Sequence, residues 1–275
     1  MFSKPKICFT IGAMALKKFF LLALVGATSL VHAQTIVLGK NHQFVQTGAM
    51  SVTTNGFFGA FRIDDSSLNY TSGSVLKPNS DTQSMFYNGN FWEFQSSLLG
   101  ASDFAAQYPQ GSYEFIAGGA SGGSRILDDT NPLWPTFEPR ILNFDDWSAP
   151  QVAPAREVQF DSWTLPSGAN DGATFVLLVN LTMGTLPFLT GLPTTATSVT
   201  IPAGTLVPGN NYLLEVIYSS REWTLNNGID GIGSSFRIYD KRTFRTFRAV
   251  PEPMTMLTLG AGVALLIRRR RAHRA

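Results

Sequence analysis

The chain has 275 residues, 44% of them hydrophobic and 15% charged, so it carries the apolar surface that a disordered chain lacks. Its net charge of +2 is made by its ends: nine of the 21 Lys and Arg lie before residue 34 or after residue 253, all 19 Asp and Glu lie between, and that middle is left at −7. An acidic middle argues against nucleic-acid binding, which needs cations to neutralise phosphates.

Cysteine and histidine counts narrow the chemistry further. The only cysteine, Cys8, precedes any segment that reads as folded, which excludes an intramolecular disulfide and a cysteine-based zinc site. Of the three histidines, His32 adjoins an expected processing position and His273 lies in a basic tail. Only His42 remains for the body, so a two-histidine metal site is excluded and a Ser-His-Asp triad could use no other base. No catalytic residue, metal or cofactor is expected.

Taken in chain order, the first element is an export signal. Lys17 and Lys18 form a short basic region, Phe19 to Val25 is unbroken apolar, and Val31-His32-Ala33 suits cleavage after Ala33. The apolar core is short for a membrane span, which wants about 20 residues. Residues 1–33 are read as a signal peptide handled by signal peptidase, with Met1 or Met14 as its start.

Strand-like runs follow at Phe57–Ile63, Phe91–Phe94, Ser112–Ala117, Val158–Trp163, Phe175–Met183, Thr197–Ile201, Tyr212–Tyr218 and Phe236–Tyr239. They are rich in aromatic and β-branched residues, and Gly, Pro, Asn and Ser separate them. The expected fold is all-β: one or two antiparallel β-sandwich domains, Ig-like or jelly-roll-like, flanked by an N-terminal signal helix and a C-terminal hydrophobic helix. The boundaries are 34–122 for a first β domain, 123–133 for a linker, 134–249 for a second sandwich and 250–275 for a tail. Residues 197–218 resemble the corner of fibronectin type III and immunoglobulin-like sandwiches. There a leucine packs inward, Pro-Gly turns the chain and a tyrosine hydroxyl bonds back to the backbone; Leu206, Pro208, Gly209 and Tyr212 occupy those places. Tyr108-Pro109-Gln110-Gly111-Ser112-Tyr113 is a weaker echo.

Several residues invite a chemical reading. Asp64-Asp65, Asp128-Asp129 and Asp145-Asp146 could lend oxygens to Ca²⁺, but neighbours on a strand point to opposite faces, which favours solvated turns. Asp145, Glu157, Glu215 and Glu222 are candidates for the carboxylate pair of a glycoside hydrolase, and nothing singles out two of them. Trp92, Trp134, Trp147, Trp163 and Trp223 could stack on sugar rings or fill a core. Arg242, Arg245 and Arg248 stand before the tail, placed to meet anionic lipid or polysaccharide or to charge an edge strand.

The tail is tripartite: Pro251-Glu252-Pro253 breaks regular structure, Met254 to Ile267 is an uncharged apolar run, and Arg268, Arg269, Arg270 and Arg271 form a basic block. It resembles the PEP-CTERM sorting signal. That resemblance implies recognition by an exosortase of a Gram-negative bacterium, transient anchoring in the inner membrane, removal of the tail near Pro-Glu-Pro and delivery to the cell surface or beyond. The expected role is a non-enzymatic component associated with exopolysaccharide and biofilm. The alternatives are a carbohydrate-binding module and a glycoside hydrolase-like enzyme.

Overall fold

A computed structural model of the chain describes residues 35–64, 70–148, 154–225, 227–229 and 233–251. The expected signal peptide with Ala33, both flanking helices, and Glu252, Pro253 and Arg268 to Arg271 of the sorting motif lie outside the described residues. No helix among the described residues is long and apolar enough to cross a membrane.

The described chain is mostly β. A long hairpin, β1 (Thr35–Gly48) and β2 (Ser51–Asp64), comes first. It is followed by β3 (Ser72–Leu76), β4 (Thr82–Ser84), β5 (Phe86–Tyr87), β6 (Phe91–Gln95), the helix α1 (Ala101–Gln107), β7 (Gly111–Gly118) and β8 (Gly123–Asp129). After a 3₁₀ turn at Phe144–Trp147 come β9 (Arg156–Gln159), β10 (Asp171–Asn180), β11 (Thr185–Leu192), β12 (Ser198–Ile201), β13 (Asn211–Leu225) and β14 (Ser234–Arg248). Each of the eight segments read as strands lies wholly or partly on one of these. The strands assemble into an eight-stranded sheet (β11-β10-β13-β14-β1-β2-β6-β5), a four-stranded sheet (β4-β3-β7-β8) and a two-stranded sheet (β12-β9).

Register shows how the layers stack. Leu38 pairs with Arg237 and Arg237 with Glu222. Directly paired residues share a face, so the even residues of β1 and β13 and the odd residues of β14 line one side of the large sheet. Both smaller sheets pack there. Over β10 and β13, Val176, Leu178, Leu214, Val216 and Tyr218 meet Trp147, Val158, Phe160, Trp163 and Ile201. Over β1 and β2, Ile36, Leu38, Phe61 and Ile63 meet Val75, Tyr113, Phe115 and Leu127, with Phe104 of α1.

Two expectations change. The first and last strands, β1 and β14, pair in parallel from Thr35↔Ser234 to Val45↔Phe244, so the large sheet is mixed rather than antiparallel. A parallel neighbour needs a long return path, and the whole intervening chain supplies it. Residues 123–133, read as a linker, begin instead with β8. The glycines before it make a tight turn, closed by Gly122 N–H donating to the Gly119 carbonyl at 3.0 Å. The described residues form one compact unit.

At the corner, Tyr212 is fully buried and its hydroxyl accepts from Val207 N–H at 2.7 Å and from Asn180 Nδ2 at 3.2 Å. Leu206 packs into the adjoining core. Gly209, after Pro208, sits at φ +80°, where a side chain would be strained, and its N–H donates to the Ala249 carbonyl at 2.8 Å. In the upstream echo, the Tyr113 hydroxyl donates to the Pro109 carbonyl.

Candidate functional site

Between the two cores, on the same face of the large sheet, the side chains turn polar. Asp129 on β8 is 0% exposed and gathers three partners. Lys40 Nζ lies 2.6 Å from its Oδ2, Arg237 Nη1 lies 3.3 Å from its Oδ1, and the Tyr239 hydroxyl donates to Oδ1. Arg237 also binds Glu222. Lys40 Nζ donates to the Tyr108 carbonyl at 3.0 Å. Burial pulls the Lys40 ammonium below its usual range, an effect the Asp129 carboxylate opposes. Burial pushes the Tyr239 phenol up, and Asp129 adds to it. Around the buried Asp129, this cluster ties β1, β8 and β14 together.

His42 sits one step along the same row, stacked on Phe57 at 3.9 Å between centroids and tilted against Phe44 at 4.0 Å. Burial, reinforced by Lys241, lowers its pKa to about 4. With a folded pKa depressed below the ordinary 6.5, neutral His42 contributes stability that is complete above about pH 6.5 and declines as pH falls toward 4. An NMR titration is expected to show one imidazole with a midpoint near 4, missing from His42→Gln; a midpoint near 6.5 would contradict the packing. The His42 Nε2 lies 3.3 Å from Thr54 Oγ1, and no carboxylate among the described residues hydrogen-bonds the ring.

A cleft of about 580 Å³ opens beside the tip of the β1–β2 hairpin, lined by Met50, Val52, Phe137, Glu138, Arg140, Asp161 and Ser162. Arg140 binds Asp161 through Nε at 3.2 Å and Nη2 at 2.9 Å, and Lys241 Nζ lies 3.3 Å from Glu138. Its wall is tied to the hairpin by Gln46, whose side chain exchanges two hydrogen bonds with the Ile141 backbone at 2.8 and 2.9 Å. The cleft is thus mixed in polarity, and its charges are paired.

On the opposite face of the large sheet, Arg242 binds Glu215 at 3.0 Å, Arg221 lies 3.4 Å from Asp171, and Arg62 lies 2.5 Å from Asp64. Burial raises the Glu215 carboxyl, and the Arg242 guanidinium opposes it. Burial likewise raises Asp240, against Arg242.

The residues singled out in the sequence are scattered over this frame. Asp128 is exposed while Asp129 points inward, as strand alternation requires; Asp145 and Asp146 are exposed on the 3₁₀ turn, and Asp65 lies outside the described residues. No three His, Cys, Asp or Glu among the described residues converge on a point where a metal could be held. Of the four candidate carboxylates, Glu215 and Glu222 are bound to arginines, Glu157 accepts from Gln159 Nε2 at 2.7 Å, and Asp145 is exposed. Trp147 and Trp163 are buried, Trp92 and Trp134 half-buried, and Trp223 is 39% exposed. The arginines before the tail do not guard an edge: β14 lies inside the sheet, Arg242 and Arg245 are buried, and Arg248 alone is exposed. Arg245 is consumed locally, donating to the Phe144 carbonyl and to Ser148 Oγ. The Asp129 hub was not found from the sequence. Its one local signal is the alternation Arg125, Leu127, Asp129, in which the inward member is charged.

No family model matches the chain, and no curated protein matches it. Among solved structures it is weakly similar to a two fibronectin type III domain segment from chicken tenascin. That likeness has 15% identity and a TM-score of 0.23, and it covers 70% of this chain and 91% of the other. It is a distant one.

Proposed function

We propose that the chain is an exported, non-enzymatic component of the cell surface or extracellular matrix of a Gram-negative bacterium, released from the inner membrane by an exosortase and associated with extracellular polysaccharide. The tripartite tail, opposite a signal peptide at the other end, is the observation that carries the reading. The enclosed, cation-matched carboxylates favour a structural role over hydrolysis, and two tryptophans committed to the interior weaken the carbohydrate-module alternative.

Mass spectrometry decides it. In a host with an exosortase, the released protein is expected to start at Gln34 and to lack Arg268 to Arg271. In a host without the enzyme it should stay with the inner membrane, tail attached. Released protein that still carries the arginine block would overturn the reading.

A further inference from the structure

The sheet edges of this protein are not treated alike. β5 and β4 are two and three residues long. β9 carries Arg156 and Glu157, and β8 carries Arg125, Asp128 and Asp129. Short length and charge are the usual guards against edge-to-edge pairing. β11 has neither. It is the outermost strand at one end of the eight-stranded sheet, runs for eight residues (Thr185-Leu-Pro-Phe-Leu-Thr-Gly-Leu192) and holds no charged side chain. Nothing among the described residues pairs with its outer edge. Pro187 removes one donor near the start of the strand and leaves Phe188 to Leu192 able to pair.

We infer that the outer edge of β11 pairs with the same edge of a second copy of this chain, joining two eight-stranded sheets through an antiparallel β11–β11 ladder. Self-pairing suits this segment for three reasons. A two-fold interface brings the same patch together twice, so a strand without charge meets no like-charge repulsion. Centred on Leu189, which is 39% exposed, the ladder sets Leu189 against its own copy, Phe188 against Thr190, and Leu186 against Leu192. Phe188 and Leu192 already pack on the core beneath β10 and β13, so the ladder carries that core across the junction. This inference is independent of the proposed export and sorting.

The test uses the full chain with Cys8→Ser, so that an introduced cysteine has no rival. Leu189→Cys is oxidised with copper-phenanthroline and run on a non-reducing gel, with Ile126→Cys, an exposed position on β8, as the control. Directly paired residues bring their Cβ atoms to about 4.5–5.5 Å, from which a small shift of the strands reaches the ~4 Å of a disulfide. The expected result is a linked dimer at Leu189 that exceeds the Ile126 control several-fold. In sedimentation, Leu189→Lys should weaken the dimer at least about tenfold, with the far-ultraviolet dichroism unchanged. A chain that stays monomeric at every concentration overturns the inference. So does the absence of linkage above control at every position from Thr185 to Leu192, or a dimer that Leu189→Lys leaves intact. If the lysine variant does not fold, the cysteine scan alone decides.

Discussion

Asp129→Asn is expected to lower the unfolding free energy by about 3–5 kcal/mol, the usual consequence of breaking a buried ion pair from one side. The side chain is completely enclosed, and its nearest cation, Lys40 at 2.6 Å, is almost as deeply buried. Arg237 keeps Glu222 when Asp129 is lost, but Lys40 keeps no anion, retaining the Tyr108 and Pro109 carbonyls, the second at 3.4 Å, and the Tyr113 ring at 5.5 Å. The destabilisation is thus the penalty of a stranded ammonium more than the loss of a favourable bond. Two comparisons isolate it. Asp128→Asn, one residue away and exposed, should fall within about 0.5 kcal/mol of the parent. The pair Lys40→Met with Asp129→Leu should be milder than Asp129→Asn alone, because it leaves no charge behind. Urea denaturation of the three variants measures this; an Asp129→Asn effect under about 1 kcal/mol would show that water reaches the cluster.

Trp147→Ala is expected to cost a similar amount, about 3–5 kcal/mol, for a different reason. The indole is 0% exposed, lies against Phe247 at 5.5 Å between centroids, and donates from Nε1 to the Glu157 carbonyl at 3.3 Å. Removing it opens a void under the two-stranded sheet, while the Glu157 carbonyl keeps its bond from Asn143 Nδ2 at 2.8 Å. Trp223→Ala, at an exposed position, should change stability by about 0.5 kcal/mol or less. This contrast bears on function, because a tryptophan whose loss unfolds the protein is occupied with packing. Thermal and urea unfolding of both variants check it, and equal effects would contradict the assignment of Trp147 to the core.

How much of this was legible in the sequence depends on how far apart the cooperating residues lie. The corner at Tyr212 was readable because its parts fit within seven residues. β13 was readable because Tyr212, Leu214, Val216 and Tyr218 alternate on the side that meets the two-stranded sheet. β1 was not, because Lys40, Asn41, His42 and Gln43 interrupt its apolar pattern. Two of them are accommodated by groups distant in sequence: Lys40 by Asp129 and His42 by Phe57. β8 was mistaken for a linker for the complementary reason, since its inward aspartate is acceptable only once β1 delivers a lysine to it. Arg242 and Arg245 looked like surface charges because Glu215, Phe144 and Ser148, which bind them, belong to other elements. Local chemistry therefore reported the turns and the amphipathic strands, and long-range charge pairing hid the centre of the sheet.

The parallel pairing of β1 with β14 also determines how the molecule bears tension. The described chain enters at the start of β1 and leaves at the end of β14, and these neighbouring strands run the same way. A pull on the two ends therefore drags one strand past the other along their length. The eleven aligned pairs from Thr35 to Val45 share that load and must yield together, whereas a hairpin pulled from its open end unzips one bond at a time. A body tethered at one end and tugged at the other meets the stress with a continuous, unshifted seam.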